Sequence, residues 1–423
     1  MGLRLVWLAV LVAVAIVSGA TTYGALAARF PRATGTPVPS IAASPSGTVT
    51  PTASPTPSPS PTPTPDATVD VTKTAVPAEF HYLVLGTGNA FRVVLLDLGA
   101  RTSTDVASVR LATAPSTAAQ PSLSISASAD GRVVLLAVRI PERPATLFVL
   151  RPTTGESQPV LQGEIVSAVV SRDGSTFAIG RNDQDPSLTG LWVGSLGDRP
   201  PSPHRLIADD PLFAGSPPVP LAFSFDGGQL AFGLPLGDPG YQAGLVPVST
   251  PELRVERSAS GTIRVVGGEV SLLNGAAAAE FISPTQLFAW NSRTAFGGVT
   301  STFAYDVATK QLATLYRPAT EDVQIAAAAW RPGKDEYATI EQPMCCGASP
   351  TRTAWIRARD GSARKIGDAG PFAGDLWWSR DGTQLFERQG ADDATGVIVD
   401  ILTGRGVVVF CLRGGGPPPN PCT

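Results

Sequence analysis

A repeated hairpin motif constrains the fold of this chain more than any other sequence feature. Six copies of an apolar strand, a tight turn and a second apolar strand start at Ser124, Ser167, Leu221, Ala279, Ala327 and Leu376. Counted between equivalent turn positions, from Ser128 to Ser379, the copies are 43, 53, 59, 48 and 48 residues apart. Strand repeats of roughly 40 to 50 residues are typical of β-propellers. The sequence therefore predicts an all-β fold.

Most copies share the turn sequence Ser-x-Asp-Gly. Asp-Gly between apolar runs is a strong hairpin signal, because Gly adopts positive φ without steric cost and Asp tolerates it. The Ser hydroxyl is expected to cap the turn. The fourth copy departs from the motif with Ser-Pro-Thr-Gln from Ser283, and the fifth with Arg-Pro-Gly-Lys from Arg331. A third and a fourth strand follow the hairpins, which predicts blades of four antiparallel strands.

The motif Ser-x-Asp-Gly-x-x-Leu-Ala-Phe, followed by a strand and Thr-Gly, resembles the TolB-like and WD40-like propeller repeats. The resemblance covers about residues 80–412 and implies a bacterial β-propeller protein, membrane-anchored or secreted. It implies little about function, because such propellers include binding scaffolds, enzymes and secretion components. The segment before the six hairpins supplies further strands, so seven blades are expected, with an innermost strand drawn from residues 67–76. Six blades is the alternative.

The N-terminal sequence predicts export. Residues 5–28 carry no charge and are long enough to cross a bilayer as a helix. They form either an uncleaved signal anchor or a signal peptide cleaved after Ala20 or Ala27. The expected domains are this segment (1–28), a disordered Pro/Thr/Ser-rich linker (29–78), the propeller (79–412) and a Gly/Pro-rich tail (413–423). The propeller is thus expected outside the cytoplasm, anchored to the membrane or, alternatively, secreted.

The four cysteines agree with an oxidising compartment, where an even number suggests disulfides. Cys411 and Cys422 flank a Gly/Pro-rich loop that a disulfide between them would close. Cys345 and Cys346 are adjacent, which leaves open a vicinal disulfide or a pairing of each with one tail cysteine.

Composition and motifs favour a non-catalytic protein. Charged residues are only 16% of the chain, the net charge is −3, and no basic stripe with aromatic residues predicts nucleic-acid binding. The chain has two histidines, His81 and His204, and no Gly-x-Ser-x-Gly motif. No cofactor or resident metal is expected, and the protein is expected to be a monomer.

Variable loops between the second and third strands, and between blades, are expected on one face, with the Asp-Gly hairpins on the other. Carboxylates and amides of these loops form the candidate binding set: Asn182, Asp183, Asp185, Asp209, Asp210, Asp238, Asp392 and Asp393. Irregular loops on a rigid scaffold are frequent binding sites. Two other interpretations stay open: Asp and Asn favour turns for local reasons, and oxygen ligands also suit Ca²⁺.

The sequence thus predicts an extracytoplasmic binding or scaffolding propeller of the bacterial cell envelope. Its partner would be a protein, peptide or glycan that engages the loop face. The alternative is a propeller-type hydrolase or lyase that acts on an extracellular polymer.

Overall fold

The computed structural model describes residues 66–112, 121–183, 185–198, 201–209, 217–237, 240–257, 263–268, 270–273, 276, 278–291, 300–320, 322–343, 352–369, 372–389, 397–402 and 407–411. All regular structure in these residues is β-strand. The apolar N-terminal segment, the first part of the linker and the tail lie outside the described residues. Within them, no helix has the length and hydropathy needed to span a bilayer.

The strands form seven sheets, numbered here in chain order. Sheets 1 to 3 contain β1 (Ala67–Val71), β2 (Phe80–Thr87), β3 (Ala90–Asp97), β4 (Thr102–Leu111); β5 (Ser122–Ala127), β6 (Val134–Arg139), β7 (Ala145–Arg151), β8 (Glu156–Gly163); and β9 (Ile165–Val170), β10 (Thr176–Arg181), β11 (Gly190–Ser195), β12 (His204–Ala208). Sheet 4 contains β13 (Val219–Phe223), β14 (Gln229–Gly237), β15 (Gly240–Pro247) and β18 (Ser271–Leu273), while β16 (Leu253–Arg257) and β17 (Ile263–Val266) join sheet 3. Sheets 5 to 7 contain β19 (Ala278–Ser283), β20 (Gln286–Asn291), β21 (Ser301–Asp306), β22 (Gln311–Tyr316); β23 (Val323–Trp330), β24 (Glu336–Pro343), β25 (Arg352–Ala358), β26 (Ala363–Ala369); and β27 (Phe372–Trp378), β28 (Leu385–Gln389), β29 (Val397–Asp400), β30 (Val407–Cys411).

Six of the seven sheets have four antiparallel strands, as the repeat predicts. The innermost strands β2, β5, β9, β13 and β19 contact one another in this order, and β23 contacts β27, as expected for strands that surround a central channel. Large apolar side chains fill the layers between sheets: Phe177, Phe232, Phe288 and Phe386, each on the second strand of its sheet, are fully buried. The alternation that the sequence shows around each hairpin therefore serves packing between neighbouring sheets.

The observed hairpins explain why the motif recurs. The Ser171 hydroxyl donates to the Asp173 carboxylate (2.6 Å) and accepts the backbone N–H of Thr176 (2.9 Å). Gly174 has φ of 74°, in the left-handed region that glycine adopts without strain. The other three hairpins with this motif repeat the Ser-to-Asp hydrogen bond, at Ser128, Ser224 and Ser379. The fifth copy uses a Pro332-Gly333 turn instead, with φ of 68° at Gly333.

Sheet 3 is six-stranded because an insertion from sheet 4 extends it. The hairpin of β16 and β17 leaves sheet 4 between its third and fourth strands, and β16 pairs with β12 in parallel. Arg205 on β12 forms two hydrogen bonds to Glu252, just before β16, at 2.9 and 3.0 Å. This insertion lengthens the spacing between the third and fourth hairpin copies to 59 residues.

Sheet 1 differs from the sequence prediction in two ways. Its order is β1-β4-β3-β2, so residues 67–71 form the outermost strand and not the innermost one. These residues also lie inside the predicted linker of 29–78, so ordered structure begins earlier than expected. The reason is that β1 covers apolar side chains of the sheet: Ala67 and Val69 are buried in its core.

The innermost strand of sheet 1, β2, runs antiparallel to β5, the innermost strand of sheet 2. Phe80, at the start of β2, lies beside Gly131, which follows the end of β5. Gly86, near the end of β2, shares a cavity with Ser122, at the start of β5. The two innermost strands are therefore antiparallel, and the turn between β2 and β3 lies on the loop face. This reversal accounts for the missing Ser-x-Asp-Gly motif in sheet 1.

Side chains join sheet 7 to sheet 1. The His81 and Trp377 rings stack with centroids 4.0 Å apart, and Phe386 packs into the apolar cluster of β2 and β3. The backbone N–H of Arg380 donates to the Glu79 carboxylate at 2.7 Å. Among the seven described sheets, none combines strands from residues 67–111 with strands from residues 372–411. Packing at this seam, and not a shared ladder, joins the two sheets.

Candidate functional site

The hairpin turns surround a cavity of about 800 Å³ at one mouth of the central channel. Its rim includes the residue that follows the first position of the turn motif in five of the hairpins: Ala129, Arg172, Phe225, Pro332 and Arg380. This position is fixed in space by the turn, while its side chain takes no part in the Ser-to-Asp hydrogen bond. The scaffold can therefore vary its chemistry without changing the hairpin.

Two arginines and two aromatic rings form a continuous arc on this rim. Arg172 lies over the Phe225 ring, with its Cζ 3.9 Å from the centroid, and Arg380 lies over the Phe80 ring at 4.2 Å. Ala129 joins the two halves: its carbonyl accepts a hydrogen bond from the Arg380 guanidinium, and its N–H donates to the Arg172 carbonyl at 2.7 Å. We call Phe80, Arg380, Ala129, Arg172 and Phe225 the rim arc.

The two guanidinium groups of the rim arc, those of Arg172 and Arg380, form no ion pair within the described residues, although the Glu79 carboxylate accepts the backbone N–H of Arg380. Burial and the nearby charge of Arg380 lower the pKa of Arg172. Phe225 is 38% exposed and is the large hydrophobic side chain most open to solvent among the described residues. The arc thus presents cations and an apolar surface side by side.

A carboxyl group lies in the wall of the same cavity. Glu280, on the innermost strand β19, accepts the backbone N–H of Trp330 at 2.9 Å. Protein atoms enclose this carboxyl although it touches the cavity. Burial raises its pKa to about 7, and the hydrogen bond from Trp330 opposes part of that rise. Glu280 is therefore partly protonated near neutral pH.

His81 and Tyr82 mark the inner end of the mouth cavity. Burial, followed by the charge of Arg388, lowers the pKa of His81 to about 4, so its ring is neutral at physiological pH. The Tyr82 hydroxyl donates to the Gly131 carbonyl at 2.8 Å, and burial raises its pKa. A smaller cavity of about 390 Å³ shares His81, Tyr82 and Ile125 with the mouth cavity. Both side chains have internal roles: one stacks at the seam and the other fixes a hairpin.

On the loop face, the structure brings Asn182, Asp183 and Asp185 together in one turn, between β10 and β11. The Asp183 carboxylate pairs with Arg181 at 3.1 Å, and both side chains are mostly buried. The backbone N–H of Asp183 donates to the Thr189 hydroxyl at 3.0 Å, and this hydroxyl donates to the Asp183 carbonyl at 2.7 Å. Asp183 therefore stabilises its own loop.

The remaining predicted residues do not join this group in the described structure. Asp185 is exposed and accepts the Ser187 N–H at 2.8 Å, and hydrogen bonds from Ser187 lower its pKa. Asp209 is buried. Asp210, Asp238, Asp392 and Asp393 lie outside the described residues, so their role stays a prediction.

The loop face also has a cavity, of about 780 Å³, between sheets 2 and 3. Asn182 and Asp183 line it together with Arg139, Glu142 and Arg143. Charged side chains of both signs line it. The described residues contain no group of three or more His, Cys, Asp or Glu side chains placed to hold a metal ion, here or elsewhere.

The disulfide predictions fall outside what the structure describes. Cys345, Cys346 and Cys422 lie outside the described residues, and Cys411 ends β30 with its side chain outside them. The pairing of Cys411 with Cys422 stays a prediction.

Sequence reasoning missed the rim arc for a physical reason. The turn motif identifies Ser, Asp and Gly, whereas the rim arc contains the variable residue between Ser and Asp. Arg-Asp-Gly occurs twice, at Arg172 and Arg380, and Phe-Asp-Gly once, at Phe225. Four of the five arc residues, all except Phe80, occupy this one position of the repeat, so a comparison of the position across the repeats would find them.

Comparison with known proteins shows similarity of fold. No family model and no curated protein matches the chain. A candidate TolB from Agrobacterium tumefaciens is 13% identical with a TM-score of 0.41, over 70% of this chain and 96% of that one. Oligogalacturonate lyase from Vibrio parahaemolyticus is 10% identical with a TM-score of 0.48, over 81% and 86%. The β-propeller domain of the Trilobed protease from Pyrococcus furiosus is 11% identical with a TM-score of 0.38, over 70% and 99%. The chain is thus similar to TolB-like and other propeller structures, enzymes among them, and its function must be argued from its own residues.

Proposed function

We propose that this chain is a seven-bladed, non-catalytic binding propeller, and that its partner binds at the hairpin-side mouth of the central channel. One observation carries the proposal: the rim arc places an exposed Phe225 and two guanidinium groups, without an ion pair among the described residues, around a cavity of about 800 Å³. Pockets of this size with a few convergent polar groups are typical ligand sites.

The contrast between rim arginines supports this choice. Arg331, at the first position of the fifth hairpin, donates to Glu336 (2.6 Å) and to the Gly382 carbonyl (2.7 Å). Its guanidinium donors are occupied by these contacts within the protein. Arg172 and Arg380 line the cavity, which Arg331 does not, and the guanidinium hydrogen bond described for these two is that from Arg380 to the Ala129 carbonyl. A structural role explains Arg331, whereas a ligand explains the other two.

The place of action that we propose is outside the cytoplasm, with the propeller held by residues 5–28 and the Pro/Thr/Ser-rich linker. The supports are the length and apolar character of that segment and the composition of the linker. Secretion after cleavage is the alternative.

The loop face is a second candidate site, because Asn182 and Asp183 line the cavity between sheets 2 and 3. The internal bonds of Asp183 weigh against it. An enzyme that acts on an extracellular polymer is the alternative class of function, and it would require an ionisable group that contacts the reacting atoms.

The test is peptide selection on the full chain in detergent micelles. Phage-displayed random heptapeptides are selected on the wild type and on three variants. Arg172→Ala/Arg380→Ala removes the rim charge, Asp185→Ala changes the loop face, and Arg110→Ala/Arg132→Ala is the matched control at exposed arginines outside the cavity.

We expect the rim variant to lower retention of the selected phage by about tenfold or more, because a charge-assisted hydrogen bond contributes roughly 1.5–3 kcal/mol. Retention by the control is expected to stay within about twofold, since exposed ion pairs contribute little. Equal retention by wild type and rim variant, or loss only in Asp185→Ala, would overturn the proposed site.

A further inference from the structure

We infer that the mouth cavity binds an acidic peptide segment in which an acidic residue adjoins an apolar one. The inference rests on the proposed function and specifies the chemistry of its partner. It follows from the placement of the rim arginines, from the apolar part of the cavity wall and from the position of the opposing carboxyl.

The rim arc prepares both guanidinium groups for an anion. Each has its Cζ within about 4 Å of an aromatic ring centroid, a contact that favours a fixed position of the cation. Arg380 also donates to the Ala129 carbonyl, and its other N–H groups make no hydrogen bond among the described residues. A planar guanidinium matches the two oxygens of a carboxylate, and pairs of this kind are stronger than neutral hydrogen bonds. The two positive charges repel each other, as the lowered pKa of Arg172 also indicates, and one bound anion would relieve that repulsion.

Beneath the arc, one part of the cavity wall is apolar, although polar side chains such as Ser126 and Glu280 also line the cavity. Ile125, Val170, Phe281, Ile282 and Trp330 line it. An apolar side chain that enters here leaves water, at about 25 cal/mol for each Å² of apolar surface buried. The cavity thus favours a ligand that presents one anionic group at the rim and an apolar group below it.

This distribution argues against a uniform polyanion. A polyuronate or a polyphosphate needs cations along its whole length, whereas the described cations of the cavity are on the rim. Glu280 lies in the cavity wall, where it would oppose a second buried anion. A glycan would also place some hydroxyl groups against the apolar part of the wall, at Ile125, Val170 and Phe281, where they find no partner and cost free energy. A peptide alternates acidic and apolar side chains without that cost, and clusters of arginine commonly recognise acidic motifs.

The experiment uses the peptides that the selection on the full chain yields. We expect the selected heptapeptides to be enriched in Asp or Glu next to Phe, Leu, Ile, Trp or Tyr. The strongest peptide is then synthesised with its acidic residue intact and with that residue replaced by its amide. Isothermal titration is expected to show affinity about tenfold or more weaker for the amide form, and an affinity of the acid form that falls with added salt. On Arg172→Ala/Arg380→Ala the two forms should bind equally, while Arg110→Ala/Arg132→Ala should keep the difference.

The outcomes separate this inference from the proposed function. Selected peptides that lack acidic residues yet require the rim arginines would overturn the acidic partner and leave the binding site standing. Binding of polygalacturonate, used as a competitor, in place of any selected peptide would overturn the peptide partner. Equal binding of acid and amide forms by the wild type would also overturn it.

Discussion

The loop face and the hairpin mouth use charged side chains in opposite ways. On the loop face, Arg181 and Asp183 neutralise each other within one turn and are mostly buried. At the hairpin mouth, Arg172 and Arg380 lie near each other on aromatic supports and pair with no carboxylate among the described residues. The first arrangement stabilises the fold, whereas the second brings two positive charges close together, a cost that the anion we propose would offset.

The comparison shows that many carboxylates in a loop are weak evidence for a site. Asp and Asn occur in turns because they bond to the nearby backbone, as Asp183 and Asp185 do. Charge that the fold leaves unpaired is more informative than charge that is merely abundant.

The largest expected effect is on peptide affinity, which should fall when the mouth is changed and not when the loop face is changed. Arg172→Ala/Arg380→Ala should weaken binding of a selected acidic peptide by about 100-fold, since two charge-assisted contacts of roughly 1.5 kcal/mol each are lost. Asp185→Ala should leave affinity within about twofold, because its exposed carboxylate makes only local bonds. Isothermal titration measures both. A larger loss in Asp185→Ala than in the rim variant would reverse the comparison.

The second prediction contrasts the acid–base behaviour of the two regions. The fold raises the pKa of Glu280 from 4.5 to about 7, so it favours the protonated carboxyl. The stability that this carboxyl contributes is therefore fully present below pH 4.5 and is lost as the pH rises through about 7. Glu280→Gln should therefore be more stable than wild type at pH 8 by up to about 3 kcal/mol, and the difference should vanish near pH 4.5. Urea unfolding at both pH values measures it.

Asp185 provides the opposite control on the loop face. Its pKa is lowered, so its contribution is present above its ordinary pKa and is lost as pH falls. Asp185→Asn should therefore approach the wild type in stability as the solution is acidified. A pH-independent difference for Glu280→Gln would show that this carboxyl is not held protonated by the fold.

The third prediction concerns the loss of the Arg181–Asp183 ion pair on the loop face. Asp183→Ala should lower the free energy of unfolding by about 2 kcal/mol, because it leaves the mostly buried Arg181 without its partner. The matched change at the mouth, Arg172→Ala, should lower it by less than about 0.5 kcal/mol, as is usual for exposed positions. Equal losses of stability would assign both charges a structural role.

The smallest expected effect concerns the aromatic support of one rim arginine. Phe225→Ala should weaken peptide binding by about fivefold, since a cation–π contact at an exposed site contributes roughly 0.5–1 kcal/mol and the ring also offers apolar contact. Stability should be unchanged, because the ring is 38% exposed. Phe225→Tyr, which keeps the ring, should retain affinity in the same titration.

The sequence was sufficient for the parts of the fold that local chemistry decides. Ser-x-Asp-Gly specifies the hairpin because the Ser hydroxyl, the Asp carboxylate and the left-handed Gly all lie within four residues, as seen at Ser171. The alternation around it specifies which side chains are buried between sheets. Both the turn motif and the apolar alternation recur along the chain, and a chance match to one hairpin would not recur in this way.

The sequence was insufficient where distant segments decide. The reversed β2 and the outer position of β1 depend on which edge of sheet 1 remains unpaired, and no local motif encodes that. The rim arc has the same origin: Arg380 and Ala129 are bonded although 251 positions separate them along the chain. Only the closed arrangement of the sheets brings these two residues together.

The outer position of β1 has a mechanical consequence. A force applied to the chain at Asp66 would act first on β1, the outermost strand of sheet 1. Sheet 2 shares that load, through the Arg143–Asp66 pair (2.6 Å), the bond from the Ser157 hydroxyl to the Val69 carbonyl (2.7 Å) and the bond from the Thr74 N–H to the Pro152 carbonyl (2.8 Å). β1 and β2 are the opposite edges of sheet 1, so the attachment and the partner that we propose would load different edges of that sheet.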